Sequence, residues 1–91
     1  MYYIYILFLG NKQFYTGYTK DLKRRLEEHQ TKKVRSTAKR QPVKLVHYEA
    51  YSLKSDAQRR ERYLKTTEGK RFLKQQIRDL FGKIHKSGGV A

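Results

Sequence analysis

Residues 2–9, YYIYILFL, are apolar or aromatic without a break. A short uninterrupted run of this kind predicts a strand covered on both faces, hence a central one. Gly10-Asn11-Lys12 offers hairpin turn chemistry, and Gln13–Tyr18 reads as the returning strand. Thr19 is placed to cap a helix running to about Gln30, with Leu22 and Leu26 as its buried stripe. Residues 31–44, TKKVRSTAKRQPVK, carry no helical period and include the only proline, so they read as a basic loop. Residues 45–51, LVHYEAY, give a third strand, and a second helix is expected over about 53–65. A third helix over 70–81 would carry Phe72, Leu73, Ile77, Leu80 and Phe81 on one side. The pattern predicts an α+β fold, a three-stranded, largely antiparallel sheet flanked by helices in the order β-β-α-β-α-α. Residues 1–82 form the domain, and 83–91, with Ser87-Gly88-Gly89, form a basic tail expected to be flexible.

Composition narrows the function. Ninety-one residues allow one small core, so any site must lie on a single surface. The chain has no cysteine, which removes disulfides and thiolate metal sites, and its three scattered histidines argue against zinc. The apolar start is too short to span a bilayer and lacks the flanks of a signal peptide, so a cytoplasmic protein is expected. Charge is the strongest global feature: 22 Lys and Arg against 8 Asp and Glu give a net +14. Such an excess repels itself unless a polyanion is present, and nucleic acid is the expected partner. No segment pairs a basic face with a broad apolar one, so a membrane surface is disfavoured.

Three constellations bear on chemistry. Tyr15, Gly17 and Tyr18 share one strand, where tyrosine is ordinarily a packing residue. Glycine inside a strand is unfavourable and marks either a bulge or a close approach by a ligand or another backbone. Arg25 and His29, at i and i+4, share one helix face. By themselves they describe a solvated basic flank; just downstream of Tyr15 and Gly17 they could also hold a phosphate and move a proton. Glu61 is the one acid in AQRRERYLK, on a face close to Ala57 and Leu64. A carboxylate leaning toward the core needs a partner, either an arginine or a hard cation such as Mg²⁺. Residues 20–44 hold ten Lys and Arg, and residues 54–78 hold nine. Of these, Lys32, Lys33, Arg35, Lys39 and Arg40 sit in the long loop, where they could follow a phosphate backbone with little sequence discrimination.

In sequence order, Tyr3-Ile4-Tyr5, Tyr15-Thr16-Gly17, Arg25, His29 and Glu61 resemble the GIY-YIG nuclease domain. The closer likeness is to small single-domain members related to the N-terminal domain of the excision-repair nuclease. It spans about residues 1–75. The resemblance implies metal-dependent hydrolysis of DNA phosphodiesters, in repair or recombination, with one Mg²⁺ or Mn²⁺ ion. It matches Tyr5 and Tyr15 to the motif tyrosines, Gly17 to the motif glycine, Arg25 to the family arginine, His29 to a histidine-or-tyrosine position, and Glu61 to the metal-binding glutamate. Tyr3 stands where the motif has glycine, and Thr16 where it has isoleucine. Many family nucleases have an asparagine late in the domain; the only one here is Asn11, in the hairpin.

The chemistry follows from these residue types. A cation on Glu61 polarises the phosphate, and Arg25 can donate two aligned hydrogen bonds to its oxygens. Tyrosine is a poor base at its ordinary pKa near 10, and a neighbouring cation and arginine would favour the phenolate. Eight acids without a paired-carboxylate motif argue for one metal ion, with no small-molecule cofactor. An unidentified protein could direct the domain to its target. The alternatives are a non-catalytic nucleic-acid-binding module on the same fold, and a basic structural protein of ribosome or nucleoid.

Overall fold

The computed structural model describes residues 1–90, with side chains described through Ile84. The elements are β1 (Tyr2–Leu9), β2 (Phe14–Thr19), α1 (Leu22–Gln30), β3 (Val43–Tyr51), α2 (Lys54–Leu64), α3 (Thr67–Gln76) and α4 (Arg78–Val90). The three strands form one antiparallel sheet in the order β2-β1-β3, so the apolar run is the central strand, as expected. The fold is α+β. The expected tail, 83–91, lies mostly outside the described side chains.

Strand alternation divides the core in two. Tyr5, Leu7 and Leu9 pack with Val43 and with Leu22 and Leu26 of α1. Ile4 and Ile6 face the other way, onto Ala57 and Leu64 of α2 and Leu73 of α3. Both faces of β1 are therefore covered, and Ile4, Tyr5, Ile6, Leu7 and Leu9 are each at most 2% exposed. This explains a run with no polar alternation.

The helices depart from expectation in three places. The cap of α1 is Asp21, whose carboxylate accepts the Arg24 N–H at 3.1 Å. Thr19 instead accepts the Asp21 N–H, also at 3.1 Å, and shapes the turn before the helix. The single helix expected over 70–81 is two, α3 and α4, broken at Ile77. Beyond the break, Phe81 packs on Phe14 of β2 with ring centroids 4.7 Å apart. Phe72 stays 46% exposed beneath the Arg71 guanidinium, so it does not share the buried stripe of Leu73 and Phe81. Tertiary packing overrides helical periodicity here.

The third strand carries a polar anchor. His47, Glu49 and Tyr51 alternate along β3 and so share a face, the one α2 covers. Glu49 accepts from the Tyr51 hydroxyl at 2.7 Å and from Arg60 of α2 through Nε at 2.9 Å and the terminal nitrogen at 3.2 Å. His47 Nε2 lies 3.0 Å from the same carboxylate. Burial pushes the Glu49 carboxyl upward, but the hydrogen bonds from His47, Arg60 and Tyr51 and the Arg60 charge outweigh it. The group is held at about 2, against an ordinary 4.5.

A carboxyl depressed on folding stabilises fully above its unfolded pKa, and that contribution is lost as pH falls through the folded value. The window here is from 4.5 down to about 2. Over that window the shift corresponds to at most about 3 kcal/mol. Thermal melts across it should show the parent losing stability more steeply than Glu49→Gln. Parallel curves would show that the Glu49–Arg60 bridge contributes no net stability.

Candidate active site

The site is built on a crossing. Tyr5 and Gly17 are direct partners in the β1–β2 ladder, and that ladder runs in unbroken register from Tyr3↔Thr19 to Phe8↔Phe14. Gly17 therefore marks no bulge; the register shift lies between β1 and β3, at Ile6/Leu7. A Cβ at position 17 would fall on the Cζ and hydroxyl of Tyr5. The close approach is made by the Tyr5 ring, which crosses β2 where no side chain stands. Because β2 is an edge strand, the crossing carries the phenol outward from the central strand.

The hydroxyl arrives at His29. Tyr5 Oη lies 2.9 Å from His29 Nε2, and the other ring nitrogen, Nδ1, lies 2.7 Å from Thr37 Oγ1. His29 is fully buried, as is Thr37. Tyr15, half-buried, sets its ring edge-on to His29 at 5.1 Å and tilted to Tyr5 at 6.4 Å. Burial, and then the Arg25 charge, press the His29 pKa below 6.5, so the imidazole is neutral at pH 7. Burial also raises the Tyr5 pKa, and the opposing influence of Arg25 is smaller. The arginine by itself does not favour the phenolate, because desolvation outweighs it; the expected phenolate also called for a bound cation.

Two charged side chains complete the cluster. Arg25 is near enough to oppose the upward shift of the Tyr5 pKa and is oriented by Glu28, whose carboxylate accepts at 3.0 Å. Its side chain is 36% exposed, enough to meet a ligand. Glu61 approaches from α2, and its charge is felt at the Tyr5 hydroxyl. The side chain is 22% exposed, and its partner is Lys65, one turn on, at 3.2 Å. The arginine partner considered from the sequence is not the one it has, since Arg60 is engaged by Glu49. Arg60 and Glu61 flank the buried stripe of Ala57 and Leu64, so α2 presents one to the β3 anchor and the other to Tyr5.

Among the described residues, no three His, Asp or Glu side chains converge as a metal cluster. Glu61 is the hard oxygen donor on α2 whose charge reaches Tyr5 and which is not committed to Arg25, as Glu28 is. That donor set fits one hard cation completed by water and phosphate oxygens, and it does not fit a two-metal site.

The loop after α1 holds the remaining expected residues. Lys32, Lys33, Arg35, Lys39 and Arg40 are all exposed. The loop itself is tied down: Val34 and Thr37 are buried, and the Gln41 side-chain amide donates to the His29 carbonyl at 2.8 Å. It serves as the cover of His29 as well as a carrier of cations. Thr37, Gln41, Glu28 and Lys65 all escape the sequence reading. The last two stand at i+3 from Arg25 and i+4 from Glu61, a spacing that could have flagged them. Thr37 and Gln41 lie in a loop with no local signal. Asn11 bonds Gln13 within the hairpin turn and takes no place beside Tyr5.

The chain is similar to known proteins. Residues 1–76 match the model of the GIY-YIG catalytic domain. A UPF0213 protein of Limosilactobacillus reuteri is 42% identical over 67 residues, covering 70% of this chain and 70% of its own. Another from Haloquadratum walsbyi is 38% identical over 81 residues, covering 86% of this chain and 91% of its own. The solution NMR structure of a UPF0213 protein from Bacillus halodurans is similar with a TM-score of 0.55 at 34% identity, over 85% of this chain and 86% of that one. The paired tyrosines, the glycine between strands and the covering helices thus have a family context: this chain belongs to the GIY-YIG catalytic domain family, generally a family of nucleases.

Proposed function

We propose that this protein is a divalent-metal-dependent endonuclease that hydrolyses phosphodiester bonds of DNA. The observation that carries the reading is the buried contact of Tyr5 with His29, made possible by Gly17, with the part-exposed Arg25 and Glu61 close enough to act on the Tyr5 hydroxyl. His29 meets the Tyr5 hydroxyl while Arg25 and Glu61 both influence its ionisation, and a packing role alone does not require a carboxylate and a guanidinium there. The nucleic-acid substrate implied by the family agrees with a net charge of +14 and with the exposed loop cations beside the site.

In this reading Arg25 grips two non-bridging oxygens of the scissile phosphate, held in orientation by Glu28. Glu61 is the residue that would hold a cation, Mg²⁺ or Mn²⁺, which when bound would supply positive charge to the phosphate and the leaving oxygen. The attacking water gives its proton to Tyr5 Oη as the Tyr5 proton moves to His29 Nε2. Transfer through His29 removes the need for a standing phenolate, which burial opposes. For Nε2 to accept, the neutral ring must carry its proton on Nδ1, donated to Thr37 Oγ1 at 2.7 Å. The oxygen–phosphorus bond to the leaving group then breaks, and the departing alkoxide is protonated from solvent.

Three measurements test this. Glu61→Gln keeps the shape and loses the charge, so cleavage should vanish while the melting temperature and metal-free DNA binding stay near the parent values. A folded variant that cuts at the parent rate would remove Glu61 from the mechanism, and an inactive parent on a panel of duplex, flap, junction and RNA would favour the non-catalytic module. Arg25→Lys keeps a charge and loses the planar fork, so the rate should fall about a hundred-fold with little change in binding. Near-normal turnover would make Arg25 one cation among many. The pH dependence tests His29: its pKa lies below 6.5, so the rate should climb through an ionisation below that value and level off near neutrality. An acid limb centred above 6.5 would assign the step to another group.

A further inference from the structure

A second cleft lies across α1 from Arg25, lined by Tyr3, Lys20, Leu22, Lys23, Leu45 and Tyr48. Tyr48 is the β3 partner of Tyr5, so it stands on the same face of the sheet one strand further from β2. It is 53% exposed, unusually open for a large aromatic, and the Tyr3 ring leans on it at 6.2 Å and 60°. Lys20 and Asp21 line both this cleft and the one that holds Arg24, Arg25 and Glu28, so the two are continuous around the start of α1. The Asp21 carboxylate is engaged in capping the helix, which leaves Lys20 and Lys23 as the cations of the rim.

We propose that this cleft binds an unpaired nucleobase of the substrate strand, stacked on Tyr48 with Tyr3 behind it, next to the phosphate held at Arg25. The inference rests on the nuclease reading above and names its substrate class: a strand with unpaired bases beside the cut. Flat aromatic rings over an apolar floor, with lysines at the rim, match a base and its flanking phosphates. A base paired inside a duplex has no free face to offer Tyr48, so the site selects single-stranded regions, overhangs or flaps. A second copy of this chain fits less well, because the rim is cationic and each copy carries a net +14.

The test measures binding without divalent cations, so nothing is cut and the result is independent of the catalytic mechanism. Labelled single-stranded oligonucleotides are compared with abasic strands of the same length by fluorescence anisotropy. The parent should favour the base-bearing strand about ten-fold, Tyr48→Phe should keep that preference, and Tyr48→Ala should lose most of it with an unchanged melting temperature. Preference in Tyr48→Ala equal to the parent's, or a parent indifferent to bases, would overturn the proposal. So would sedimentation showing a dimer that Tyr48→Ala dissolves, since the cleft would then be a contact between copies. Loss of base preference in Tyr48→Ala alongside an inactive parent would uphold the stacking site and reject the cutting site.

Discussion

The site depends on one steric fact: nothing larger than hydrogen fits at position 17, because the Tyr5 ring occupies the space a side chain would need. That vacancy lets a residue of the central strand deliver its hydroxyl past an edge strand. Tyr5 is nearly as enclosed as Leu7, two positions on, but its hydroxyl finds a polar partner in His29. The cost of glycine in a strand is modest, on the order of 0.5–1 kcal/mol. In exchange the phenol is clamped at both ends, by the core around its ring and by His29 at its hydroxyl.

Burial then sets the chemistry. The same desolvation raises the Tyr5 pKa and lowers that of His29, so both are neutral at pH 7 and joined by a 2.9 Å contact. A neutral donor beside a neutral acceptor is a proton path that stores no charge in the core. Charge stands at the rim instead, in Arg25 and Glu61, each with solvent access and each with a partner from its own helix. The eight acids of this basic chain are too few to neutralise it, and several of them orient particular cations or hold caps. Glu49 is the clearest case: it anchors α2 through Arg60, and the opposite flank of that helix bears Glu61.

Much of this was legible from residues alone. An unbroken apolar run announced a central strand, since only coverage on both faces favours losing every polar position. Hairpin turn chemistry and helix-compatible segments gave the order of elements, and the order of Tyr5, Tyr15, Gly17, Arg25, His29 and Glu61 gave the family resemblance. Local sequence encodes such features because period, turn and cap are set by near neighbours. The strand glycine could be noticed in the same way, although two explanations for it remained.

Tertiary structure decided the rest. Gly17 admits a tyrosine and not a bulge, which follows from the β1–β2 register and from nothing local. Thr37 and Gln41 orient His29 because the loop folds back over α1, so the partner of a ring nitrogen stands eight residues away without any periodic signal. Arg60 turns to Glu49 on β3, eleven residues away, a pairing no local spacing announces. The helix expected over 70–81 breaks at Ile77, and beyond the break Phe81 meets Phe14 across the fold. Sequence determines which residues can form each element and which chemistry they bring. Which of them meet is decided by long-range packing, because a hydrogen bond or ring contact between distant positions leaves no trace in local composition.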